Sequence, residues 1–397
     1  MTHLTATRVR GLVVALAATL AFAACAGVAD AARGHAGHGA RIHARHAAAS
    51  RFNARTSARL RAALQKTWPT TWAPGVIAGV WVGHRGWTAV RGTSLRAVGP
   101  LAIRADHTRV GSVTKTMLGT LILELVDRHK LSLNETIQRW FPKVPDASRI
   151  TIQQLGDMGS GIATYTGNAK LTARYFAHPT AWWNPDTLIA GGVSLPRKFA
   201  PGKGFDYSDT NFVMLGRIAE KVTGKPLSQL LRTMVFKRLG MSQTSYPTTN
   251  RIPRPFWNGY TVQGSTLGNA LDSTSWTPSF AAGAGAVIST LGDLHRWARA
   301  VGTGALLTPA TQRARLIPNP YSEGGGRAYL FAMTDSNGWL GHEGSTPGYN
   351  TELQYLPSLK ATIVVLVNTD IGDQDNVSPA LKIFSALAAV IAPRNLP

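Results

Sequence analysis

Gly111–His129, GSVTKTMLGTLILELVDRH, is the stretch from which the rest of the chain can be read. Met117, Leu118, Leu121, Ile122, Leu125 and Val126 recur at helical spacing, so the pattern predicts a helix over Val113–His129 with an apolar stripe and with Ser112 at its mouth. Three residues on from Ser112 stands Lys115, and on a helix that spacing puts a hydroxyl and an amine on one face within reach of each other. A serine hydroxyl is a weak nucleophile until its proton is taken. A lysine can take it only when its amine is neutral, as burial and positive neighbours favour. The helix start adds backbone N–H groups and a dipole that stabilise negative charge developing at the attacked acyl group. The same residues also read without chemistry, as a helix N-cap beside a solvated lysine. Ser-x-x-Lys occurs once in the chain, and four residues alone do not choose between the two readings.

Working outward, Phe52 to Lys66 has helical spacing that ends at Pro69 to Pro74. Val76–Val82 and Gly86–Arg91 read as strands joined by a turn at Gly83-His84-Arg85. From Leu131 to about Pro278 the patterns are helical with long loops, including Asn211–Thr223 and Leu227–Leu239, each closed by a glycine. Beyond it, Gly285–Ser289 reads as a short strand and Leu291–Val301 as a helix. Ala328–Thr334, Gly338–His342, Thr351–Leu356 and Ala361–Asn368 read as strands, and Pro379–Ile391 as a last helix. This order predicts an α+β fold: an antiparallel sheet flanked by helices, a mostly helical insertion at about 131–278, and a ligand cleft between them. Residues 52–397 then make one domain.

Two further signals follow Ser112 in order. Tyr207-Ser208-Asp209 lies between Phe199-Ala200-Pro201-Gly202 and Thr210-Asn211-Phe212, and Gly341-His342-Glu343-Gly344-Ser345-Thr346-Pro347-Gly348-Tyr349 comes near the end. Together with Gly111–Lys115 these resemble the serine family of class C β-lactamases, penicillin-binding D-alanyl-D-alanine carboxypeptidases, D-aminopeptidases and some esterases. That family shares Ser-x-x-Lys, Tyr-x-Asn and a third triad of Lys-Thr-Gly or His-x-Gly type. The resemblance runs from about Pro74 to Asn368 and implies a β-lactamase/transpeptidase-like fold. It implies that Ser112 is acylated, that Lys115 assists removal of its proton, and that Tyr207 relays the proton to the leaving group. His342 and Gly344 would line the strand beside the substrate, with the backbone N–H groups of Ser112 and Ser345 as the oxyanion hole. Tyr207 as a base would need its phenol pKa well below about 10, with Lys115 as the cation responsible.

Two positions depart from the lactamase pattern. Asp209 stands where asparagine is usual, exchanging a donor for an acceptor and a charge. His342 stands where lactamases have lysine, which favours the carboxypeptidase and esterase branches. No separate glutamate motif of the class A type and no Gly-x-Ser-x-Gly elbow is present. The resemblance therefore implies a hydrolase that forms an acyl-enzyme at Ser112, with a D-alanyl-D-alanine peptide end as first substrate and other small peptides, esters or lactams in reach. An esterase using the same site, and a penicillin-binding sensor that does not turn over, stand as alternatives. The mechanism calls for no metal and no organic cofactor.

Composition sets the outer bounds. A chain of 397 residues, 44% hydrophobic and 16% charged, can bury a substantial core. Arg8 and Arg10 before the apolar run Gly11–Ala24 and the small-residue site Ala29-Asp30-Ala31 read as an export signal over residues 1–31. Cys25, the single cysteine, is an alternative lipid-attachment site, and with one cysteine no disulfide forms within the chain. Residues 32–51 read as a basic Ala/His/Arg-rich linker. The net charge of +22 is weighted to the front: Arg41, Arg45, Arg51, Arg55, Arg59 and Arg61 follow with no acid between them. That pattern lacks the interleaved aromatics of a nucleic-acid surface; it reads first as a solvated tail leading into a first helix, with attraction to anionic cell-envelope polymers or lipid head groups as the sharper alternative. His35, His38, His43 and His46 have no carboxylate or thiolate beside them and read as linker rather than metal ligands.

Overall fold

The computed structural model describes residues 50–94, 100–373 and 376–396. The export signal, Cys25 and almost all of the basic linker lie outside them. Eight strands form one sheet: β1 (Ser50–Arg51), β2 (Gly75–Val82), β3 (Arg85–Gly92), β4 (Arg327–Leu330), β5 (Met333–Ser336), β6 (Trp339–Thr346), β7 (Tyr349–Leu356) and β8 (Ala361–Val367). Their order is β1-β3-β2-β8-β7-β6-β5-β4, antiparallel except where β1 runs parallel to β3. The two ends of the chain meet in the middle, because β8 pairs with β2 over its whole length.

The sheet is buried on both faces, and the strand sequences show it. In β8, Ile363, Val365 and Val367 pack into one apolar layer with Leu60 and Leu64 of α1 (Ala54–Thr67) and with Ile383, Phe384 and Leu387 of the C-terminal helix. Val364 and Leu366 face the other layer, which holds Leu118, Leu121 and Ile122. Alternating residues thus serve two cores, and β8 reads as an unbroken apolar run. The spacing of Leu60 and Leu64, and of Phe384 and Leu387, gives each outer helix one apolar face.

On the second face, α2 (Val113–Asp127) is buried all round from Val113 to Leu125. The expected apolar stripe is therefore only part of what is buried: Thr114, Lys115, Thr116, Thr120 and Glu124 are enclosed as well, as befits a helix surrounded by a sheet and other helices. Against α2 pack α5 (Asp209–Thr223) and α6 (Leu291–Thr303), while α4 (Pro185–Val193) packs on α5, α3 (Ala169–Ala177) adds Tyr175 to the same apolar layer, and α7 (Pro379–Ile391) closes the opposite face. Ser378 caps α7 by accepting from the Leu381 amide, with Pro379 in the first turn. Among the described residues no helix is long and apolar enough to cross a membrane.

Several elements differ in detail from expectation. Ala328–Thr334 is two strands of a hairpin, turning at Phe331-Ala332, where Ala332 has φ +62°. An apolar turn of this kind carries no Gly, Pro or Asn signal. The strand expected over Gly338–His342 continues to Thr346 through the motif itself. Gly285–Ser289 holds only a two-residue strand, Ile288–Ser289, behind a helical turn at Ala282–Gly285. Small residues let that turn sit against the Phe212 backbone.

Candidate active site

Three segments converge at the start of α2. Gly111 has φ +52°, a conformation that favours glycine, and it lets the chain enter α2 while touching β6. A Cβ at Gly111 would lie 2.6 Å from the Ser345 amide nitrogen, and one at Gly344 would lie 2.0 Å from the Val110 carbonyl oxygen and 3.2 Å from the Ser112 amide nitrogen. The two missing side chains let the Gly111-Ser112 backbone pack directly on the Gly344-Ser345 backbone.

Ser112 occupies the N-cap position of α2, but its side chain makes no capping hydrogen bond. Its Oγ instead accepts from Lys115 Nζ at 2.8 Å. The lysine is not solvated: its side chain is fully buried, and it also donates to the Ala284 carbonyl at 2.9 Å and pairs with Asp209 Oδ1 at 2.6 Å. The plain N-cap reading therefore does not describe this serine. Tyr207 stands beside this pair, with Lys115 Nζ 4.8 Å from the centre of its ring. Asp209 sits in the first turn of α5, where the helix dipole favours a carboxylate, and its backbone N–H donates to Thr164 Oγ1 at 3.3 Å.

His342 lies on β6 facing this group, its ring 5.9 Å from that of Tyr207. It is buried. Nδ1 lies 2.5 Å from the Glu343 carbonyl oxygen, which requires the proton on Nδ1, so Nε2 accepts from the Tyr329 hydroxyl at 3.2 Å. Burial, with Lys115 as the next cause, pushes the imidazole down to about 3, and His342 is neutral throughout the physiological range. Among the described residues no group of three or more His, Cys, Asp and Glu side chains is placed to hold a metal ion.

Burial overturns one expectation. In place of a lowered phenol pKa at Tyr207 beside Lys115, burial, then Tyr329 and Asp209, drive it well above its ordinary value. The desolvated phenol keeps its proton, and the neighbouring Asp209 carboxylate pushes in the same direction. Lys115 itself is pushed down by burial and pulled back up by Asp209. The phenol is thus suited to donate, and the amine is the group that can become a base.

All seven residues singled out from sequence lie in this one place: Ser112, Lys115, Tyr207, Asp209, His342, Gly344 and Ser345. Tyr329 joins them without any signal in the sequence, and Ala284 joins through its backbone carbonyl. Tyr329 carries no motif, and only the register of β4 on β5 and β5 on β6, with Tyr329 opposite Thr334 and Thr334 opposite Gly341, sets it beside His342.

A family model described as Beta-lactamase matches residues 60–388. The chain belongs to the beta-lactamase family. Within that serine hydrolase superfamily it is similar to PbpX of Bacillus subtilis (strain 168), whose name places it provisionally among penicillin-binding proteins, with 27% identity over 263 residues, 65% of this chain and 61% of the relative. The match thus spans less than two thirds of that relative. Among solved structures, a D-stereospecific amidohydrolase from Streptomyces sp. superposes with a TM-score of 0.75 and 26% identity, covering 85% of this chain and 99% of that one. A penicillin binding protein from Bacillus halodurans shares the fold with a TM-score of 0.71 and 19% identity, covering 84% and 100%. This beta-lactamase-family chain has the mixed fold of those neighbours, a large sheet flanked by helices.

Proposed function

We propose that this protein is an exported serine hydrolase that forms an acyl-enzyme at Ser112 and cleaves amide or peptide bonds. The observation that carries the reading is the buried Lys115 Nζ hydrogen-bonded to Ser112 Oγ at 2.8 Å, with the loop that bears Ser112 packed closely on the Gly344-Ser345 backbone. In the forward step Oγ bonds to the carbonyl carbon as its proton passes to the neutral amine of Lys115. The carbonyl electron pair moves to the oxygen held by the two amides. Collapse expels the leaving amine, which takes its proton from the Tyr207 hydroxyl, replenished from Lys115. Water then repeats the attack on the acyl group.

A D-alanyl-D-alanine end is the first substrate to consider, and the name of the Streptomyces amidohydrolase supports a D-configured acyl group. Electrostatics favour versions without a free carboxylate. Lys115 is already paired to Asp209 and His342 is neutral, so neither of these groups beside Ser112 is left to receive a substrate carboxylate. An amide or a simple ester is therefore the better leaving end, which keeps the esterase reading beside the carboxypeptidase one. The test offers the purified protein an acylated D-Ala-D-Ala peptide, its C-terminal amide and its C-terminal methyl ester. Faster release from the amide and ester, abolished by Ser112→Ala, is expected. Hydrolysis surviving in Ser112→Ala would remove the reading. Export is proposed from the basic and apolar leader alone.

A further inference from the structure

Lys115 Nζ has three hydrogens when charged, and the site offers it three acceptors: Asp209 Oδ1 at 2.6 Å, Ser112 Oγ at 2.8 Å and the Ala284 carbonyl at 2.9 Å. With all three engaged, the nitrogen has no lone pair for the Ser112 proton. The resting arrangement points a donor at the nucleophile where acylation requires an acceptor. The other titratable groups facing this nitrogen do not supply the missing base. Tyr207, before α5, keeps its phenol proton, and His342, on β6, is a neutral ring turned toward Tyr329. Asp209 is the anion paired to the lysine, and its side chain is 23% exposed, so it also links a fully buried amine to solvent.

Resting on the reading of Ser112 as nucleophile, we propose that Asp209 is a positioning residue that keeps the third proton on Lys115 in the resting site, so that Ser112 is acylated only after that proton has left. In the step, one proton leaves Nζ for solvent by way of the partly exposed carboxylate, and the freed lone pair takes the Ser112 proton as Oγ bonds to the acyl carbon. Nothing else is consumed. With a neutral amide in place of the carboxylate, burial would act on the lysine unopposed, and the amine would be free at lower pH.

The experiment follows kcat/KM for p-nitrophenyl acetate, a substrate without a titrating group, from about pH 5.5 to about 10. Wild type, Asp209→Asn and Asp209→Glu are compared, with the Ser112→Ala rate subtracted. Wild type is expected to rise to an alkaline inflection. Asp209→Asn should bring that inflection to a pH lower by about one or more, so that on the acid side the variant is about tenfold or more faster than wild type. Asp209→Glu, which keeps the charge, should hold the inflection near the wild-type position. Melting curves of each variant establish that it is folded. Profiles of a folded Asp209→Asn and wild type that differ only in height, with the same inflection, would overturn the inference while leaving Ser112 as the nucleophile. A wild-type rate that Ser112→Ala does not reduce would remove the underlying reading, and this inference with it.

Discussion

At Glu352 the cost of burying a charge without a partner can be read directly. Its carboxyl lies inside the sheet on β7, opposite Glu343 on β6, and accepts from Gln354 Nε2 at 2.6 Å, while Oε2 has no partner. Burial, then Glu343, pushes it up to about 8. A carboxyl raised in the folded state binds its proton more tightly there than in the unfolded chain. Its stabilising contribution is therefore full below the unfolded value near 4.5 and is lost as pH rises through about 8. Glu352→Gln removes that titration. The variant should melt above wild type at about pH 8.5, with a gap that narrows toward pH 5, measured by thermal unfolding across pH. A gap independent of pH would show that the carboxyl does not titrate in that window. The same physics of desolvation decides the chemistry at Tyr207, His342 and Lys115, and it explains why a residue's type in a motif did not reveal its protonation state. Tyr207, Asp209 and His342 were visible as letters, but the absence of water around them was not.

Between elements, the site depends on how closely the loop before α2 can approach β6. Gly344 is the tightest point, because an added Cβ would stand 2.0 Å from the Val110 carbonyl oxygen, and backbone rather than a flexible side chain would have to move. Gly344→Ala should part the Ser112 and Ser345 amides and lower acylation by about a hundredfold or more, the effect of losing one oxyanion donor. Substrate binding should change far less. Separate measurement of kcat and KM checks this, and a variant with wild-type kcat would show that the two amides do not act together. Element type was largely legible because β2 and β8 are short unbroken apolar runs, as strands buried on both faces are, and because the 3.6-residue period survives in α1 and α7. Boundaries were not, where a turn is made of apolar residues, as at Phe331-Ala332, or where a strand runs on through polar motif residues, as from His342 to Thr346. Tyr329 reaches the site only through strand register, which no local pattern carries.

Over the whole molecule, the sheet closes by pairing β2 from the start of the chain with β8 from its end, and the long connection between β3 and β4 supplies both α2 and α5. The candidate nucleophile thus stands on one helix and its charged neighbour on another, and their spacing depends on the packing of the second apolar layer. That long-range closure was legible only as an order of elements, whereas the three motifs in sequence order were enough to indicate one site. The most direct test of Ser112 as the acylated residue is intact-mass measurement of the folded protein and its Ser112→Ala variant after exposure to a fluorescent penicillin and to an activated D-alanyl ester. A single adduct on wild type, mapped to the peptide that begins helix α2 and missing from Ser112→Ala, is the expected result. An adduct of equal extent on Ser112→Ala, or one on wild type mapped to any other residue, would contradict it.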